Sequence, residues 1–396
     1  MQSLEIFSGA GGLAEGLRHS GFNHQALLEL NKDACNSLRL NFTHSKILEE
    51  DIKLFNYSSY SGVDIIAGGP PCQPFSLGGK AKGNLDNRDL FPHAIRGIRE
   101  LQPKAFMFEN VKGLLRQSFS TYFNYIILQL TYPELEKLEN EDWTKHLSRL
   151  EQVHTKGNYN GLKYNTVYRL INAANYGIPQ KRERVIIVGI KDGLNIDWTF
   201  PEATHSQDRL FWDKFVTGEY WDRNRVPSSQ IEKITPQLKQ IIEKIKKRYG
   251  FFTSELNPWM TVREALTGLP DPQKVKNVRE HIFRDGAKSY PGHTGSYIDE
   301  PSKTIKAGDH GVPGGENMIR FVDGSVRYFT ILEAKRIQTF PDDYTISGSW
   351  TEGMRQLGNA VPVRLSNMIG NELYKKLNCQ QSTINNSQKN TKFKNL

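Results

Sequence analysis

Leu4-Glu5-Ile6-Phe7-Ser8-Gly9-Ala10-Gly11-Gly12 is the stretch that decides the class of the fold. A short apolar run that breaks into spaced glycines reads as a buried strand entering a tight turn and then a helix. The turn has two readings. It is an ordinary strand–helix connection, or it is a place where a ligand meets the backbone, because glycine permits both positive φ and close approach. The same pattern recurs downstream. Ala26-Leu27-Leu28 ends at Glu29, Val63-Asp64-Ile65-Ile66-Ala67 at Gly68-Gly69-Pro70-Pro71, and Ala105-Phe106-Met107-Phe108 at Glu109, while Arg184 to Ile190 reads as one more buried strand. Such alternation with helical segments predicts βαβ units, hence an α/β fold on a parallel sheet. Ligands of open parallel sheets bind outside the carboxyl ends of the strands. The glycines, Glu29, Cys72 and Glu109 all follow strand ends, so they are expected to converge on one crevice.

The remaining composition narrows the class. The chain has 396 residues, of which 37% are hydrophobic and 24% charged, enough for a sizeable core and more than one compact unit. No run approaches the roughly 18 apolar residues of a membrane helix. Met1 to Phe7 reads as a strand and not as a signal peptide, so a cytoplasmic location without membrane contact is expected. Three cysteines, Cys35, Cys72 and Cys379, are too few and too scattered for a disulfide framework or a zinc site, and no metal is expected. A net charge of +9 leans toward a polyanionic partner without requiring one. Regular alternation lasts through residues 1–190. Residues 191–345, rich in aromatics, charges, Gly and Pro, read as a second, smaller and irregular domain. Residues 346–375 return to the first domain, and the Asn, Gln, Ser and Lys of 376–396 predict a disordered tail. Within the second domain, Lys239 to Arg248 is a basic helix, either a phosphate-contacting element or a solvated face.

Four motifs bear on chemistry. The glycines followed by Glu29 about 20 residues on have the spacing that binds ribose hydroxyls, which favours a nucleoside cofactor. In Gly69-Pro70-Pro71-Cys72-Gln73-Pro74-Phe75-Ser76 the prolines restrict the chain on both sides of the thiol. A strand end before a helical run is also where a thiolate is stabilised relative to a free pKa of about 8.5. A buried structural thiol is the usual fate of a lone cysteine, and Cys35 and Cys379 are read that way; Cys72 is read as a nucleophile. Glu109-Asn110-Val111 puts a carboxyl at a buried strand end, costly unless paired or protonated. It is a cap, a salt-bridged core acid or a catalytic group. Pro179-Gln180-Lys181-Arg182-Glu183-Arg184 would set Arg182 and Arg184 on one face of a strand, to neutralise an acid such as Glu109, to bind a phosphate, or to face solvent.

Taken in order, Phe7 to Gly12, Gly69 to Ser76, Glu109 to Val111, Gln180 to Arg184 and Gln356-Leu357-Gly358-Asn359-Ala360-Val361-Pro362 resemble the motif series of the cytosine-C5 DNA methyltransferases of bacterial restriction–modification type. Glu29, Glu50-Asp51-Ile52, Asn87-Arg88-Asp89-Leu90-Phe91 and Pro301-Ser302-Lys303-Thr304-Ile305 are similar to less sharp members of that series, and the likeness spans Met1 to about Leu373. It implies a Rossmann-like S-adenosylmethionine-dependent methyltransferase sheet in the first domain and target recognition of double-stranded DNA in the second. It further implies that Cys72 attacks C6 of a flipped-out cytosine, that Glu109 in its acid form serves N3, and that Arg182 and Arg184 are positioning arginines, Arg184 being the one that touches the base. For the cofactor it implies Phe7 on adenine, Glu29 on ribose, Asp51 on the adenine amino group, Leu90 lining the adenine pocket and Asn359 closing the site, with Gly9, Gly11, Gly12, Ile52 and Pro71 in the same set. A monomer, partnered functionally but not stably by a restriction endonuclease for the same site, completes the expectation.

Two departures stand out. The interval from Glu109 to Gln180 is long, and 131–159 reads as an added surface segment. Asp299-Glu300 also precede Pro301 where a basic residue would be expected. The glycine-rich loop Leu77-Gly78-Gly79-Lys80-Ala81-Lys82-Gly83 suits base flipping, which costs a few kcal/mol, or is a plain surface loop. The competing functions are an RNA cytosine-C5 methyltransferase on the same scaffold, a nicotinamide oxidoreductase that would leave Pro71-Cys72 and Glu109-Asn110 unexplained, and a non-catalytic DNA-binding relative.

Overall fold

The computed structural model describes residues 1–71, 89–250, 252–307 and 315–392, with side chains as far as residue 379. Two compact units result: Met1–Leu170, Glu183–Pro201 and Ser366–Leu396 form the first, and Ile171–Arg182 with Glu202–Leu365 the second.

The first unit is built on seven strands, β1 (Gln2–Ile6), β2 (Asn23–Glu29), β3 (Lys46–Glu49), β4 (Ile65–Gly68), β5 (Ala105–Val111), β6 (Tyr164–Asn172) and β7 (Glu183–Lys191). Their order in the sheet is β3-β2-β1-β4-β5-β7-β6. Pairing is parallel from β3 through β5. Strand β7 departs from the expected parallel sheet and runs antiparallel to β5. Only residues 173–182 separate β6 from β7, too few for the crossover that would return the chain in the parallel sense. The central strands are the near-continuous apolar runs that burial on both faces requires. Strands β3 and β6, absent from the sequence reading, lie at the two edges, where Lys46-Ile47-Leu48-Glu49 and the half-exposed β6 carry little hydrophobic contrast.

One face of the sheet, with Leu4, Ile6, Ile66, Phe106, Phe108 and Ile187, packs on α3 (Phe91–Leu101) and α4 (Ser120–Thr131). Helices α1 (Gly12–His19) and α2 (Lys32–Asn41) follow β1 and β2. The segment around 131–159 is the end of α4, a loop and α5 (Trp143–Lys156), joined by a cluster of its own: Tyr125, Leu128, Tyr132, Leu147 and Leu150.

The second unit is irregular. Short helices α6 (Gln207–Trp212), α7 (Glu219–Arg223), α8 (Pro236–Tyr249), α9 (Val262–Ala265), α10 (Ile331–Ile337) and α11 (Trp350–Asn359) accompany two small sheets. These are β8 (His205–Ser206) with β9 (Asn257–Pro258), and β10 (Ser296–Tyr297) with β11 (Met318–Arg320) and β12 (Val326–Tyr328). The two unexpected acids have structural partners here. Buried Asp299 accepts from Tyr220 Oη at 2.8 Å and from Arg263 Nε at 2.6 Å, and Glu300 pairs with Lys181 at 2.6 Å. The last helix, α12 (Val363–Lys392), leads back to the first unit, where Tyr374 meets Phe22 edge-on at 5.3 Å. It extends through 376–392, the stretch whose composition reads as disordered. No helix of the described residues is long and apolar enough to cross a membrane.

Candidate active site

The strand order reverses direction at β1: β2 and β3 lie on one side, β4 and β5 on the other. Such a switch point leaves a crevice outside the carboxyl ends of β1 and β4. The chain segments leaving β1, β2, β4 and β5 there carry the residues singled out in the sequence.

At the end of β1, Phe7 has φ 56, a left-handed conformation that is uncommon for a bulky residue and marks a constrained turn. Gly9 follows with φ 54, and a Cβ built on it would meet nothing within 4 Å. Its backbone thus borders open space. Gly11 (φ 81) caps α1 without a side-chain hydrogen bond, and Gly12 is the first, buried residue of that helix. Glu29, the last residue of β2, turns its carboxylate toward this loop. Oε2 accepts the Gly9 amide at 2.8 Å, and Oε1 accepts the amides of Leu30 and Asn31 at 2.9 and 2.7 Å. A carboxylate offers about four acceptor sites. Three amides hold it in place, and Oε2 retains capacity for a hydroxyl donor.

The apolar candidates also come together. Ile52 belongs to the main core cluster, and Phe7 and Leu90 pack against it. The carboxylate of Asp51, half-buried beside Ile52, accepts only the Lys53 amide, at 3.0 Å, among the hydrogen bonds described for it. Leu90 donates its amide to the Pro71 carbonyl at 3.1 Å, which ties the segment entering α3 to the one leaving β4. An exposed glycine backbone, a held carboxylate and an apolar wall fit a ligand with a ribose and an adenine. Cys35 has the structural role expected of it: its Sγ donates to the Glu29 carbonyl at 3.4 Å, and burial pushes the thiol up to about 11.

Cys72 lies outside the described residues, as does the loop 77–83. The residues before Cys72 are described, and they are held against β5. A Cβ on Gly69 would lie 3.4 Å from Glu109 Oε2, so this glycine borders the carboxyl directly. Asn110 Nδ2 donates to the Pro70 carbonyl at 2.9 Å, while Asn110 Oδ1 accepts the Val111 amide at 2.9 Å. Asn110 stood in a quoted motif, but the sequence assigned it no task. Its place beside Glu109 at a buried strand end was the available signal.

Glu109 pairs with Arg184 Nε at 2.6 Å, with both side chains largely buried. This selects among the readings left open for the acid and for the arginine. The antiparallel register sets Val111 opposite Arg184 and so brings the guanidinium to the end of β5. Arg182 precedes β7 and has a different environment from the strand face expected of it. It is fully buried in the second unit, where it donates to the carbonyls of Gly358 and Ala360 at 2.9 and 2.8 Å and of Ile305 at 3.5 Å. Asn359 lies between two of those carbonyls, at the exposed end of α11.

The profile of a family described as C-5 cytosine-specific DNA methylase matches residues 1–133 and 138–375. The chain is 31% identical over 379 residues to the type II methyltransferase M.NgoMIV of Neisseria gonorrhoeae, spanning 95% of this chain and 97% of that one. It is 32% identical over 384 residues to M.PspPI of a Psychrobacter species, spanning 96% and 80%. Among solved structures, an E. coli chain described as a DNA modification methyltransferase encoded within a prophage has a TM-score of 0.58 at 20% identity, with 96% and 99% of the two chains covered. The Dnmt2 methyltransferase of S. pombe has a TM-score of 0.55 at 17% identity, covering 96% and 99%. These two likenesses concern the fold.

Proposed function

Since the chain belongs to the C-5 cytosine-specific DNA methylases and is an enzyme of that class, we propose that it methylates one cytosine within a short duplex sequence, as the protective partner of a type II restriction endonuclease. The relatives named as type II methyltransferases support this reading. The enzyme would act as a monomer, in the cytoplasm, on DNA alone. The second unit would supply target recognition and the first the chemistry.

The methyl donor would be S-adenosylmethionine, which supplies an electrophilic methyl on sulfur. Gly9 and Gly11 would let it approach the backbone, Glu29 would accept its ribose hydroxyls, and Phe7, Ile52 and Leu90 would border its adenine near Asp51. Gly12 and Pro71 flank this surface in the chain, and Asn359 would help to close the site. Cytosine C5 is a weak nucleophile, so covalent activation is useful. Cys72, as thiolate, would attack C6 of the flipped base while Glu109, in its acid form, hydrogen-bonds N3 and prevents charge from building on the ring. Arg184 would orient Glu109 and the base; Arg182 would serve through the carbonyls it gathers. Once C5 has been methylated its proton leaves to a base, and Cys72 departs from C6.

The observation that carries this reading is the contact of Gly69 and Pro70 with Glu109 and Asn110, because it fixes the segment leading to the thiol beside the acid. The test is expression in a host lacking cytosine methylation, followed by single-base mapping of 5-methylcytosine in plasmid DNA. Modification at one short motif by the wild type, and at none by Cys72→Ala, is expected. Unmodified plasmid together with 5-methylcytosine in the host's RNA would overturn the DNA reading.

A further inference from the structure

The face of the sheet opposite the main core carries three polar side chains near Ala14: Ser3 and Glu5 on β1 and His24 on β2. Ser3 Oγ lies 2.8 Å from His24 Nδ1, and His24 Nε2 lies 2.9 Å from the Ala14 carbonyl. A carbonyl only accepts, so Nε2 carries the ring proton and Nδ1 accepts from Ser3. Glu5, two residues along β1 from Ser3, is buried with the Ala14 backbone as the one group that eases the cost of its burial. Glu5 is 1% exposed and His24 7%. The backbone of one residue of α1 therefore meets polar side chains from two neighbouring strands.

The position of that residue gives the contacts their importance. Ala14 is the third residue of α1, and amides in a first helical turn have no partner within the helix. Gly11, the cap, provides no side chain to satisfy them. Glu5 faces this turn from the strand. Between Ala14 and the start of the loop there is no slack: Gly11 donates to the Ser8 carbonyl at 2.9 Å, Ser8 to the Leu28 carbonyl at 3.0 Å, and Gly9 to Glu29 at 2.8 Å. Any slide of α1 along the sheet would carry Gly9 off Glu29.

We propose that Glu5 and His24, oriented by Ser3, are positioning residues that lock the first turn of α1 and thereby hold the Phe7–Gly11 loop in the shape that receives S-adenosylmethionine. This rests on the cofactor reading above. Burial favours the neutral form of both groups, pushing His24 down to about 4 and Glu5 well above the ordinary carboxyl range, so the lock is one of neutral hydrogen bonds. Glu5 Oε2 has no hydrogen-bond partner among the described residues, as suits a neutral acid better than a buried carboxylate.

The test is calorimetric binding of S-adenosylmethionine to the full chain without DNA, with amide hydrogen exchange over α1. Glu5→Leu and His24→Leu each remove one arm and are expected to weaken binding about tenfold, the size of one lost buried hydrogen bond. Exchange at Ala14 accelerates, and in turnover the loss falls on KM for the methyl donor and not on kcat. Glu5→Gln, which keeps a neutral acceptor oxygen there, restores binding to within about threefold of wild type. If a leucine variant fails to fold, Ser3→Ala decides, because it leaves Glu5 and His24 in place and only frees the ring. Folded variants that bind as wild type does, with unchanged exchange at Ala14, would overturn the lock. A wild type that binds no S-adenosylmethionine would overturn the cofactor reading instead.

Discussion

Glu109 and Arg184 show how a single contact divides into stability and chemistry. Each is largely buried, and each is the other's ion-pair partner. Removing one side of such a pair leaves an uncompensated charge, which costs about 3–5 kcal/mol. Arg184→Met is therefore expected to lower the urea midpoint strongly. Glu109→Gln combined with Arg184→Met should recover part of that loss while remaining inactive; a double variant no more stable than Arg184→Met would show that the stranded carboxylate is not the cause. His24 and Glu5 predict opposite pH limbs. His24 is neutral in the fold with a pKa lowered from 6.5 to about 4, so the unfolded chain binds the extra proton, and its stabilisation is present above pH 6.5 and lost as pH falls toward 4. The full window is worth about 3 kcal/mol. Glu5 is raised from 4.5, so its stabilisation is present below that value and fades as pH rises. In thermal melts Glu5→Gln should gain on wild type with rising pH, whereas a gain that is flat from pH 5 to 8 would mean that Glu5 is ionised in the fold. The motif residues Phe7, Glu29 and Glu109 were legible because reactive or special residues at strand ends stand out against apolar runs. The tasks of Asn110, Ser3 and His24 were not, because each is defined by a partner from another element.

Among the elements, α5 is a helix that the sequence reading left undefined, although Trp143, Leu147, Leu150 and Val153 recur at helical spacing and Asp142 caps the helix by accepting from the Thr144 and Lys145 amides. Its cluster reaches the site through Tyr122. Trp143 meets Tyr122 edge-on at 5.6 Å, and Tyr122 donates to Asp89, which in turn accepts the Phe91 amide at the start of α3. The added segment thus braces the described end of the chain that follows Cys72. Leu150→Ala, at a fully buried position of this cluster, is expected to cost about 2–5 kcal/mol. A loss under 1 kcal/mol in chemical denaturation would show that α5 is only loosely attached. The edge strands escaped the reading for a physical reason. One solvated face and one free edge remove the apolar continuity that identified β4, β5 and β7.

At the scale of the whole molecule, the charge of +9 and the duplex DNA substrate make one joint prediction. Phosphate contacts release counterions, and a protein making 6–10 of them loses roughly 10³–10⁵ in affinity between 50 and 200 mM salt. Binding of the unmodified target duplex, followed by fluorescence anisotropy, should weaken by about a hundredfold or more over that range. Salt-independent binding would place the affinity elsewhere than in phosphate contacts and would count against the proposed role of the basic second unit.

The sequence by itself determined the alternating architecture, the irregularity of the second unit, the membership of the family and the order of the chemistry-bearing residues along the chain. These follow from local causes: apolar periodicity, the stereochemistry of glycine and proline, and the identity of residues at strand ends. The tertiary structure alone decided that β7 runs antiparallel, which delivers Arg184 to Glu109 through the register opposite Val111. It also decided that Arg182, two positions away and identical in type, is consumed by the carbonyls of Ile305, Gly358 and Ala360. The protein partners of the two arginines were not legible in sequence because they lie 75 to 178 residues away, and no local pattern records which distant carboxylate or carbonyl the packed chain will bring within reach.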